Sequence, residues 1–326
     1  MIQMSVIILT PDTYASVRRL MSRLTLQSVR QKLEIVIVCP DAQLLNPDMG
    51  ELQVFAGVNV VEVGIIHSTS PARAAGIRAA KGHIVVLTEE HCLPDPDWAE
   101  ALIRAHTDSG WDGVGPTVLN GNPRTVTSWS NFLLEYNEWL YPHAGGQVRH
   151  LPGHNSAFKR DSLLSYGDRL GLMLESETVL HWDMTRKGLK LAIEPSARTR
   201  HFNYSLFFSS ITLRYRIGKV FGGLRCNNWS PVRRMLYVIG SPLIPLVRLR
   251  RILAQMLKPG RPRALIPKIL PALALFLLCD GIGQMAGYAV GIGDTALKVT
   301  EVDFYRERYM NARDRAELQN GDSCLS

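Results

Sequence analysis

Four short runs rich in β-branched and leucine side chains, Val6–Leu9, Leu33–Val38, Val58–Val63 and Ile84–Leu87, recur in the N-terminal part of the chain. Each is too short for a helix core and gives way to turn-forming or polar residues, which marks a strand. Helical patterns fill two of the gaps, across Tyr14–Leu26 and from Ser70-Pro71 to the closing Gly82, where five alanines give high helix propensity. Strands separated by helices imply right-handed crossovers and a parallel sheet. The expected fold class is therefore α/β. Sheets of this kind offer ligands the space beyond the C-terminal ends of their strands, which gathers Thr10, Asp12, Asp41, Arg73 and Glu89-Glu90-His91 near one edge.

The fourth run releases two carboxylates and an imidazole where its apolar character stops, in Thr88-Glu89-Glu90-His91-Cys92-Leu93-Pro94. Glu89 and His91 are two positions apart, so in an extended segment both side chains leave on one face. Oxygen and nitrogen donors together suit a divalent cation. These residues alone leave a solvated loop equally open. Neither GxGxxG nor GxxxxGK[ST] follows the first run, which argues against a dinucleotide or P-loop enzyme.

Charge is distributed unevenly. The chain of 326 residues carries a net +8, yet 195–279 contains fifteen Lys and Arg and no Asp or Glu, leaving 22 basic against 29 acidic residues elsewhere. The basic section is also apolar, above all across 235–256 and 269–293, a combination that suits an anionic membrane surface rather than nucleic acid. Pro242, Pro245, Pro267 and Pro271 are expected to break its helices, so in-plane helices compete with spans, and a helical subdomain packed on the body is a third option. Asp280 would be expensive in mid-bilayer. The five cysteines, Cys39, Cys92, Cys226, Cys279 and Cys324, form no CxxC pair, which disfavours a disulfide framework and favours a reducing compartment. No export signal is expected at the N-terminus.

Taken in order, Ser5–Thr10, Gln27-Ser28 before Glu34–Val38, Pro71–Gly82 and Leu87–Trp98 resemble the nucleotide-diphosphosugar half of family 2 glycosyltransferases, which have the GT-A fold, over roughly two thirds of the chain. The resemblance implies a Rossmann-like mixed sheet, mostly parallel, with helices on both faces. It places Glu89 and His91 at the family's metal and diphosphate motif, with Glu90 pointing away and Mn²⁺ or Mg²⁺ as cofactor. Thr10, Asp12 and Asp41 fall in the nucleoside loops, and Arg73 on the diphosphate. Leu151–Arg160 looks like the acceptor loop, with Gly153, His154 and Asn155 toward the sugar. Counting back from Gly188 makes Glu177 the base, with Asp183 a rival, and His201 matches a histidine that completes the metal shell. Cys39, Ala74, Ser176 and Asp183 depart from the family pattern.

The expected architecture is a GT-A domain over 1–205, a membrane-associated basic helical region over 206–300 and a C-terminal tail over 301–326, of which the charged, weakly patterned 306–326 is expected to be a frayed helix or tail. The expected function is inverting transfer of a sugar from a nucleotide donor to a lipid-linked or surface-polysaccharide acceptor, at the cytoplasmic face of the cell membrane and without a nucleic-acid partner. The alternative is a catalytically silent membrane adaptor that keeps the fold. Trp129, Phe132, Tyr136, Trp139 and Tyr141, at near-helical spacing, are expected to pack rather than to bind.

Overall fold

The strands follow the apolar runs. In the computed structural model, which describes residues 1–320, nine strands form one sheet: β1 (Met4–Leu9), β2 (Leu33–Cys39), β3 (Gly57–Glu62), β4 (Ile84–Thr88), β5 (Cys92–Pro94), β6 (Gly113–Asn120), β7 (Gly146–Val148), β8 (Ser156–Lys159) and β9 (Leu191–His201). Their order is β3-β2-β1-β4-β8-β6-β9-β5, with β7 paired to β9. The run β3-β2-β1-β4 is parallel throughout, and β8 turns the sheet antiparallel beside β4.

The described residues divide into two compact units, Met1–Leu119 with Trp139–His201, and Asn120–Glu138 with 202–320. In the first, Val6, Ile8, Ile35, Ile37 and Val86 join one buried cluster with Leu20 and Trp98 from helices Arg18–Thr25 and Trp98–Ser109. The alternate residues face the other way, where Gly76 of helix Thr69–Ala79 lies so close to Ile7 and Val38 that a Cβ would collide with both. Helices thus cover both faces, which is why β1, β2 and β4 are buried at every position and read as near-continuous apolar runs.

The second unit is helical. Helices Phe207–Arg225 and Ile266–Val290 pack glycine against backbone: a Cβ on Gly218 would strike the Asp280 carbonyl, and one on Gly283 that of Tyr215. The expected breaks at Pro267 and Pro271 do not occur. Pro267 lies in the first turn of Ile266–Val290, where its missing N–H leaves no hydrogen bond unmade, and Pro271 follows one turn later without ending the helix. Pro242 and Pro245 do mark a joint, between helices Pro231–Gly240 and Ile244–Met256. Buried Asp280 accepts from Gln284 at 2.7 Å and pairs with Arg248.

The charged C-terminal stretch is not a frayed tail as far as residue 320. Helix Ala312–Asn320 is docked by a polar network in which Asp314, 1% exposed, accepts from Asn122 and Asn311, both at 2.9 Å. Hydrophobic periodicity cannot announce a helix anchored by amides. Residues 321–326, with Cys324, lie outside the described residues. Among the described residues, Cys39, Cys92, Cys226 and Cys279 take part in no disulfide. The aromatic stripe packs as expected at Phe132, Tyr136 and Trp139, while Tyr141 remains exposed.

Candidate functional site

Strand polarity assembles the site. β4 ends at Thr88, and the antiparallel β8 begins opposite Leu87 at Ser156, so Gly153-His154-Asn155 arrive where Glu89 leaves the sheet. Asn155 secures this junction: its N–H donates to the Leu87 carbonyl at 2.6 Å and its side-chain amide to the Cys92 carbonyl at 3.1 Å. It does so at a φ of 53°, in the left-handed region that asparagine tolerates. At the other end, Cys92 in β5 pairs directly with His201 in β9.

Arg73 ties three elements together. From helix Thr69–Ala79 its guanidinium donates to Glu89 at 2.8 Å and to Glu177 at 2.7 Å, and it is itself 6% exposed. Glu177 opens helix Glu177–Arg186, where a carboxylate also gains from the helix dipole. Gly153 lies against the Glu177 carboxylate so closely that a Cβ there would sit 3.3 Å from it. The two carboxyls respond oppositely. Burial pushes Glu89 up, but the hydrogen bond from His91 and the charges of His91, Arg73 and His154 outweigh it and hold this carboxyl well below the ordinary 4.5. Burial raises Glu177 above that value, the charge of Glu89 adds to the rise, and Arg73 offsets only part of it. Two carboxyls pushed apart in this way are suited to different tasks.

Glu89 and His91 do not leave one extended face. Residues 89–92 form a turn closed by the Cys92 N–H on the Glu89 carbonyl at 3.0 Å. Ligand atoms of Glu89, His91, Cys92 and His201 consequently all lie within 4.8 Å of one another, the only such group among the described residues. His91 Nε2 is 3.2 Å from Glu89, and its Nδ1 meets Glu90 at 3.0 Å. Glu90 stands outside the donor group and orients the imidazole. His201 packs edge-on to His91 and stacks with His154, both at centroid distances of 4.9 Å. Cys92 was missed by sequence reasoning, although its place beside His91 was a signal.

Thr10 and Asp41 follow adjacent parallel strands, but each is engaged locally. Thr10 donates to the Thr13 carbonyl at 3.0 Å, and Asp41 caps the short helix Ala42–Leu45 by accepting from the Gln43 N–H. Asp12 is exposed and accepts from the Thr13 N–H and the Ser16 hydroxyl. Asp183 is not joined to the Arg73 group. It accepts from the Tyr166 hydroxyl at 2.9 Å and pairs with Arg186 and Lys187, each at 3.0 Å. Burial would raise its carboxyl, yet these donors, Lys187 foremost, hold it below the ordinary value.

Residues 55–167 match the family described as Glycosyl transferase family 2. The matched segment is about a third of the chain. It contains Arg73, Glu89, His91, Cys92 and the 153–155 loop, whereas Glu177 and His201 lie beyond it. Solved structures similar to this chain include S. aureus TarS 1-349 in complex with UDP, 12% identical, covering 89% of this chain and 92% of that one at a TM-score of 0.48. Another is GalNAc-T7 with UDP, GalNAc and Mn²⁺, 15% identical, covering 62% and 43% at 0.48. No curated protein matches the chain in sequence.

Proposed function

We propose that the chain transfers a sugar, with inversion, from a nucleoside-diphosphate donor to a hydroxyl of a lipid-linked or polysaccharide acceptor. The observation that carries this reading is the Arg73 guanidinium shared between Glu89 and Glu177. A sugar hydroxyl is a poor nucleophile at neutral pH, so a carboxylate must take its proton as the oxygen attacks the anomeric carbon. Glu177 is that base. Its raised affinity for a proton favours the transfer, and the bare Cα of Gly153 leaves room beside it. The new C–O bond forms as the bond to the diphosphate breaks, and attack from the face opposite the leaving group inverts the centre. We assign Arg73 to the diphosphate, whose oxygens its fork geometry can pair. We assign the sugar contact to His154, buried and stacked on His201, because the Asn155 amide is engaged with Cys92.

A divalent cation, when bound, would neutralise charge on the departing diphosphate. Glu89, His91, Cys92 and His201 could hold a cation, but one carboxylate beside two imidazoles and a thiol is a poor fit for Mg²⁺ and an indifferent one for Mn²⁺. No step is derived through it. The test is turnover of a panel of UDP- and GDP-sugars by the purified chain: Glu177→Gln should lower it roughly 10²–10⁴-fold while calorimetry shows donor binding retained. Unchanged turnover in that variant rules Glu177 out, and a wild-type chain that binds no nucleotide sugar is an adaptor rather than an enzyme.

The acceptor side of the reading is a membrane. Among the described residues one helix, Arg263–Val290, is long and apolar enough to cross one. In addition Val232, Leu236, Ile239, Leu243 and Leu246 are each at least 60% exposed and recur at helical spacing across Pro231–Met256. Beside them Arg225 and Arg233 lie over the Trp229 ring at 5.4 and 4.1 Å. Exposed apolar stripes flanked by arginine and aromatic side chains suit the interface of an anionic bilayer.

A further inference from the structure

We propose that Glu89, His91, Cys92 and His201 form a closed, thiolate-containing site for a zinc-class cation that fastens the β4–β5 turn to the end of β9. The inference deepens the reading above, on which it rests only for the position of Glu89 beside Arg73.

The donor set argues for it first. Two imidazoles, one thiolate and one carboxylate number four, the coordination that Zn²⁺ adopts in protein sites with no position left for solvent. Mg²⁺ asks for an octahedron of hard oxygens, and thiolates select zinc and other soft metals. The local geometry argues for it independently. Cys92 and His201 are a directly opposed cross-strand pair, and such pairs carry their Cβ atoms on one side of the sheet about 4.5–5.5 Å apart. The turn brings Glu89 back over them, with its carboxylate 3.7 Å from Cys92 Sγ and 3.2 Å from His91 Nε2. The contraction needed to close four atoms, already within 4.8 Å of one another, around one ion is a matter of side-chain rotation. Glu90 on His91 Nδ1 supplies what metal-bound histidines usually have, a carboxylate that fixes the tautomer and leaves Nε2 facing the donors. His91, Cys92 and His201 are each 1% exposed or less, so the ion would be shut away from water.

On binding, the Cys92 thiol gives its proton to the buffer and its sulfur to the metal. The bound ion then holds Glu89 by one carboxylate oxygen while the other faces Arg73. It acts on catalysis by positioning, without touching the sugar.

The experiment uses the full chain, purified without added metal. Elemental analysis should find one zinc per chain in wild type and none in Cys92→Ser, with Cys39→Ser, a buried cysteine of β2, as the control that keeps it. Replacement by Co²⁺ should give a sulfur-to-cobalt charge-transfer band that Cys92→Ser lacks, and removal of the ion by a chelator should lower the melting temperature of wild type but not of that variant. Donor binding is measured by calorimetry on the same samples. If Mn²⁺ or Mg²⁺ binds in preference to Zn²⁺, if no metal binds, or if Cys92→Ser keeps its zinc, the site is not of this kind, whatever the chain does with sugar nucleotides. If zinc behaves as expected and no sugar nucleotide binds, the metal site stands and the transferase reading falls.

Discussion

Arg73 stands at the centre of the site, because its one guanidinium restrains the proton affinities of two carboxyls. If Glu177 must be ionised to accept the acceptor's proton, kcat/KM falls as pH drops through its raised pKa, so the acid limb of the profile should lie above the ordinary 4.5. Removing a neighbouring cation disfavours the charged carboxylate, so Arg73→Gln should move that limb to higher pH. A limb that does not move would separate Arg73 from the base. None of this was legible locally. Arg73 and Glu177 are 104 positions apart, and only the resemblance to a family suggested that they share a site. Cys92 was hidden for a different reason. Period-two alternation places it on the face opposite His91, and the reading fails because residues 89–92 turn instead of extending. Asp183 is the reverse case, a carboxylate that looks available in sequence and is held by Tyr166, Arg186 and Lys187 in the fold.

At the scale of elements, strands with β-branched runs could be read directly. Those that finish the site could not, since β5 has three residues and β8 four, too few for a period, and both depend on partners distant in the chain. The C-terminal helix was equally hidden, because amides anchor it. Asn122→Ala would remove a donor to the buried Asp314 and should destabilise that helix by about 1–3 kcal/mol, seen as faster amide exchange across Ala312–Asn320. The glycine contacts between Phe207–Arg225 and Ile266–Val290 give a second test. Gly218→Ala puts a methyl group into the Asp280 carbonyl, and overpacking of this kind costs about 1–3 kcal/mol, measurable as a lower denaturation midpoint.

For the whole molecule, two long-range properties have measurable consequences. Burial holds His106 down at about 4 and His181 at about 3, the latter also by the charge of His150. The unfolded chain binds these protons near 6.5 and the folded one does not, so stability is full above 6.5 and declines as pH falls toward 4. Melts across that window should show it, and His181→Gln should flatten the slope. The basic section 195–279 should make the chain sediment with anionic vesicles and release it as salt rises, each arginine near the lipid contributing roughly 1 kcal/mol. Most packing in proteins is driven by water's rejection of oily surface and weakens when oil surrounds it. The glycine seam of the second unit works by backbone touching backbone, which owes little to the medium. Its two helices can therefore meet lipid without coming apart.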